Sequence, residues 1–104
     1  MSLDVHKMNE FKRMLKKAPV TAEDDKEHAR THNSVADLHR NAGEHAQALH
    51  HNQLELECAL KGYGGDEKNL DVCNAHRFIA IGLSALGRFD EAHRANAKHL
   101  ELAL

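Results

Sequence analysis

Apolar residues along this chain return at steps of three and four, and proline or glycine interrupts the pattern at Pro19, Gly43, "KGYGGDEKN" (residues 61–69) and Gly87. That spacing predicts helices rather than strands. The first should span about Leu3 to Ala18, with Met8, Phe11, Met14, Leu15 and Ala18 on one face. Thr21, with Asp24 three residues on, forms a capping-box signal. Glu23, Asp25 and Glu27 load the same first turn with acid, as the helix dipole favours. The second helix should therefore run from Thr21 to about Ala42. A third is expected from about His45 to Leu60, with Leu49, Leu56 and Leu60 along one side. The fourth should begin between Asp66 and Asn69 and stop at Gly87, and the fifth should run from about Asp90 onward.

The pattern repeats. Shifted by 44 residues, the segment from Thr31 to Leu60 falls on the segment from Ala75 to Leu104 without a gap. His32, Ala36, Gly43, Ala48, Asn52, Leu56, Glu57, Ala59 and Leu60 recur as His76, Ala80, Gly87, Ala92, Asn96, Leu100, Glu101, Ala103 and Leu104. An internal period of this kind decides the architecture before any single residue does. Gly43 and Gly87 become the turns of two helical hairpins, and the small residues Ala36, Ala48, Ala80 and Ala92 let the paired helices approach closely. The expected organisation is an N-terminal amphipathic helix (residues 1–20), a first hairpin (21–62) and a second (63–104).

Composition agrees. The 104 residues are 41% hydrophobic but only 4% aromatic, so the core must be aliphatic and rich in alanine. One proline and few β-branched residues argue against a sheet. No apolar run approaches the roughly 20 residues of a membrane span. The opening "MSLDVHKMNE" lacks the apolar centre of a secretory signal. Two cysteines, Cys58 and Cys73, are too few for a disulfide framework, which points to a reduced, intracellular setting. The formal charge of −2 excludes a strongly basic domain, although ten histidines would turn it positive in mild acid.

Small residue, turn glycine and alanine five residues later, as in "LGRFDEA" at Leu86 to Ala92, make the tetratricopeptide pattern, here with a longer period than usual. Among long-period members, the chain resembles the N-terminal region of tonsoku-like proteins over essentially its whole length. "ALHHNQLELE" and "AHRFIAIGLSALGRFDEAHRANAKHLELA" carry most of the match. A weaker resemblance is to the spindle-orientation adaptors with Leu-Gly-Asn repeats, through the "LG…F.EA…HLE" line. The first resemblance implies an all-α, right-handed superhelical interaction scaffold, in the nucleus, with replication-fork repair factors as protein partners. It also implies a piece of a longer repeat array. On that view Leu100, Leu102 and Leu104 end a helix that lacks its neighbour, and they should drive self-association into a homodimer. Covering three leucines is worth on the order of 5 kcal/mol before association costs.

In tetratricopeptide arrays the first helix of each hairpin lines the concave face. The expected protein-binding groove is then Arg30, Asn33, Asp37 and Arg40 from the first hairpin, with Asn74, Arg77, Ile81 and Ser84 from the second. Arg30, Asn33, Asn74 and Arg77 form a cationic, amide-rich strip suited to an acidic segment or a terminal carboxylate.

Other chemistry finds less support. His28 and His32 have chelating spacing on a helix, and His50 and His51 are adjacent, but no His-Glu-x-x-His or Cys-x-x-Cys is present. Exposed histidines should be solvated, with His32 and His76 at a semi-buried repeat position, and neither metal nor cofactor is expected. The glycine-rich loop lacks a P-loop's Gly-Lys-Ser/Thr ending. Ser34 and Ser84 lie inside helices, and Asp24 and Asp25 sit at a helix start, so no enzyme and no small-molecule substrate are expected. Lys7, Lys12, Arg13, Lys16 and Lys17 make the first helix basic. Nucleic-acid binding through that helix is the alternative class, but without aromatic platforms it is not the expected one.

Overall fold

The structure, a computed structural model, describes the backbone of residues 4–103 and the side chains of residues 4–97. The side chains of Leu100, Leu102 and Leu104, expected to mediate self-association, lie outside that description. The described residues form five helices and no strand: α1 (Val5–Leu15), α2 (Ala22–Asn41), α3 (His45–Gly62), α4 (Leu70–Ala85) and α5 (Phe89–Ala103). Among the described residues, no helix is long and apolar enough to cross a membrane.

Local chemistry accounts for the boundaries. Thr21 accepts from the Asp24 amide, and the Asp24 carboxylate accepts from the Thr21 amide, completing the capping box expected from sequence. Two backbone donors that a helix start leaves open are thereby satisfied. The Asp24 carboxyl is held below its ordinary range chiefly by the backbone amides of Val20 and Thr21. Helix α1 ends at Leu15, three residues earlier than the pattern suggested. Pro19 disfavours helical backbone at Ala18, and the chain leaves the helix before reaching it. Met8 is buried and Phe11 and Leu15 are half-buried, whereas Met14 and Ala18 face solvent.

The 44-residue period reappears in the turns. The Glu44 amide donates to the His39 carbonyl (2.8 Å) and the Gly43 amide to the Arg40 carbonyl (3.0 Å). Shifted by one period, the Arg88 amide donates to the Leu83 carbonyl (2.8 Å) and the Gly87 amide to the Ser84 carbonyl (3.0 Å). Both are Schellman caps, which require a left-handed residue just past the helix. Gly43 and Gly87 supply it with φ of 78° and 77°. A Cβ added at either would meet nothing within 4 Å, so only backbone strain would oppose it. Gly43→Ala and Gly87→Ala should each lower stability by about 1–2 kcal/mol, and the two losses should add because the turns belong to different hairpins. Urea unfolding of the two single variants and the double variant would test this. No change in midpoint would refute it.

Helices consecutive in the chain pack on one another, and α3 is the shared neighbour of α2 and α4. Side-chain bonds between α2 and α3 span 22 residues at Asn33–Glu55 but 12 at Arg40–Asn52, so the two helices run antiparallel from their turn. The Cα trace fits within 36 × 35 × 15 Å. So thin a body leaves little depth for large side chains. Ala36, Ala48, Ala59, Ala75, Ala80 and Ala92 are accordingly buried, and Val35, Val72 and Asn52 are the largest fully buried side chains. One apolar cluster joins Leu49, Ile79, Leu83 and Ala92; another joins Ala29, Ala59 and Val72. Leu56 packs against both and so ties the two hairpins together.

Candidate peptide-binding cleft

Helices α2 and α4 flank a cleft of about 350 Å³ whose floor is α3. Ala29, Arg30, Asn33 and Ser34 come from α2, Glu55 and Ala59 from α3, and Asp71, Asn74 and Phe78 from α4. The spacings Arg30–Asn33 and Asn74–Phe78 are one helical turn each, which keeps each set on one face. Of the residues expected to form a groove, the structure brings Arg30, Asn33 and Asn74 together here. Neither the Arg30 guanidinium nor the Asn74 amide makes a side-chain hydrogen bond or ion pair among the described residues.

The remaining candidates lie outside this cleft. Asp37 pairs with Arg40 at 3.1 Å. The Arg40 guanidinium also lies 5.0 Å from the Phe78 ring centroid, with that of Arg77 at 5.1 Å, so one aromatic ring carries cations from both α2 and α4. Ile81 and Ser84 are exposed and do not line the cleft.

Sequence reasoning missed the floor. Asn52 is fully buried and donates to Glu55 Oε1 at 2.9 Å, while accepting from Arg40 Nη2 at 2.8 Å. Asn33 donates to Glu55 Oε2 at 3.0 Å. Glu55 is only 6% exposed. Burial pushes its carboxyl above the usual range, opposed by the Asn52 and Asn33 amides, which favour the charged form. The available signal was a polar Asn52 and Glu55 one turn apart on α3, next to positions expected to face the core. The strip expected to be cationic thus contains two carboxylates, because Asp71 lines the cleft as well.

Four histidines, His32 and His39 from α2 and His50 and His51 from α3, gather between those two helices. The Nδ1 atoms of His32 and His51 are 3.0 Å apart. His39 stacks on His51 and donates from Nδ1 to the Glu44 carboxylate, while His50 meets His51 edge-on. His32 and His76 are both half-buried, as their shared repeat position suggested. Burial first, then the neighbouring histidines, push His51 down to about 4, and His32 is lowered for the same reasons. Among the described residues, no group of three or more His, Cys, Asp or Glu side chains is placed to hold a metal ion. Both cysteines are free, Cys58 half-buried with its thiol pushed up by burial, and Cys73 buried. Comparison with family models, with curated proteins and with solved structures finds no match to this chain.

Proposed function

We propose that this chain is a protein-interaction module of the tetratricopeptide type, its two hairpins winding as a right-handed superhelix that holds an extended peptide in the cleft between α2 and α4. The observation that carries the reading is the cleft itself. Equivalent helices of two successive hairpins present unengaged polar groups, Arg30 and Asn74, across a common floor. Such groups suit a peptide backbone and its carboxylates, which Arg binds with paired donors. The resemblance to tonsoku-like proteins supports a nuclear scaffold role in replication-coupled DNA repair, with fork-repair factors as partners. The weaker resemblance would instead make it a spindle-orientation adaptor. The basic surface of α1, where Lys12, Arg13 and Lys16 are exposed, favours a second reading as a nucleic-acid contact. A steep loss of DNA affinity with salt would distinguish it.

The groove reading predicts a position-specific charge effect. Arg30→Glu should weaken binding of an acidic peptide about tenfold while leaving helicity and melting unchanged, because Arg30 lines the cleft and is exposed. Lys61→Glu, at the far end of α3, carries the same change in net charge and should have little effect. Fluorescence titration with one labelled acidic peptide compares the two. Equal losses would mean that only net charge matters and would remove the groove assignment.

A further inference from the structure

We propose that the floor of the cleft is a receptor for one basic side chain, lysine or arginine, carried by the peptide segment that binds there; this rests on the peptide-binding reading above. The charged groups lining the cleft are Arg30, Glu55 and Asp71, two carboxylates against one guanidinium. Arg30 is exposed, whereas Glu55 is buried. The cation therefore belongs to the open side of the cleft and a carboxylate to its base.

Glu55 is held as an acceptor. Each of its oxygens takes one amide hydrogen, from Asn52 and from Asn33, and each keeps a further lone pair. No ammonium or guanidinium group forms an ion pair with it among the described residues. The Arg40 charge is felt at Glu55 through Asn52 but does not contact it, and a buried carboxylate with no cation in direct contact becomes more favourable when one reaches it. Asp71, on the facing helix, adds a second negative charge that is felt at Glu55.

The walls select the shape of that cation. Ala29 and Ala59 offer an apolar lining to an aliphatic stem, while the charged head proceeds to the carboxylates. The Phe78 ring already carries Arg40 and Arg77, so it does not compete for the incoming cation. A carboxylate or phosphate at the floor would meet like charge. An apolar residue there would cover Glu55 without giving it a partner. Together with the cations at the rim, this makes the preferred ligand an acidic segment with a single basic residue at its centre.

Selection of a displayed library of random 12-residue peptides on the whole chain tests this. Binders are mapped to the cleft by amide shifts of Asn33, Asn74 and neighbouring residues in nuclear magnetic resonance spectra. Cleft-mapped peptides should share one Lys or Arg. Replacing that residue in the peptide by norleucine should weaken binding about tenfold or more. Asp71→Asn, a change at an exposed position, should erase part of that difference, and Glu55→Gln most of it. The norleucine comparison needs no protein variant, so a folding defect in Glu55→Gln cannot mask the answer. Cleft-mapped peptides that tolerate norleucine without loss would overturn the basic-residue receptor and leave the groove standing. Selection that yields no cleft-mapped peptide would overturn both.

Discussion

Asn52→Leu should lower the unfolding free energy by about 2–4 kcal/mol, and Asn96→Leu by less than about 0.5 kcal/mol. The two asparagines occupy the same position of the 44-residue repeat. Asn52 is fully buried on α3, whereas Asn96 is exposed on α5. Leucine nearly conserves volume, so packing alone would make both changes mild. At Asn52 it also removes the donor to Glu55 and the acceptor for Arg40, two bonds with charged partners. Bonds to charged groups are worth more than neutral ones, and a buried carboxylate that loses a donor retains its desolvation cost. Urea unfolding at neutral pH compares the variants. Similar losses at the two positions would show that the Arg40–Asn52–Glu55 chain contributes nothing beyond packing.

Mild acid should destabilise the fold through the His32–His51 contact. Both folded-state pKa values lie below the unfolded value of about 6.5, His51 at about 4, with burial the leading cause. The unfolded chain then binds more protons than the native one across this interval. The contribution is intact above about pH 6.5 and is lost as pH falls from there towards 4. Lys12, His39 and His50 also disfavour the charged form of His51, while Glu57 acts in the opposite sense on His32. Glu55 opposes the trend at the low end of the window. Its raised carboxyl pKa means that the folded state takes up a proton there more readily than the unfolded state. Both rings keep some exposure, so solvent screening limits the His51 contribution to about 1–2 kcal/mol. Urea midpoints should therefore fall between pH 7.5 and 5, and His51→Gln should flatten the slope. A variant whose midpoint follows pH as steeply as the parent would place the acid sensitivity elsewhere.

Much of the backbone was legible from residue order alone. Helix number, the Thr21–Asp24 box and both glycine turns are local events, decided within a few residues by hydrogen bonding and φ preference. The repeat made the two hairpins legible too, since Ala36, Ala48, Ala80 and Ala92 recur where helices must approach closely. Helix α1 shows the limit of that reading. Its apolar stripe continues to Ala18, but Pro19 unwinds the last turn.

The cleft was only partly legible. Arg30, Asn33 and Asn74 follow from helical phase, because a face seen from one helix is also a face of the cleft. Glu55 and Asn52 do not follow from phase. On α3 they lie next to Leu49 and Leu56, which were expected to line one side, and a buried polar residue there is tolerable only if another helix brings its partner. Asn33 and Arg40 come from α2, across a turn whose geometry no pairwise spacing encodes. Phe78 was likewise an apolar position until Arg40 and Arg77 converged on it. The sequence by itself determined where helices begin, end and reverse, because those choices are made by neighbours in the chain. Tertiary structure alone decided that a buried carboxylate lies at the base of the cleft, because its desolvation and its hydrogen bonds depend on three helices meeting.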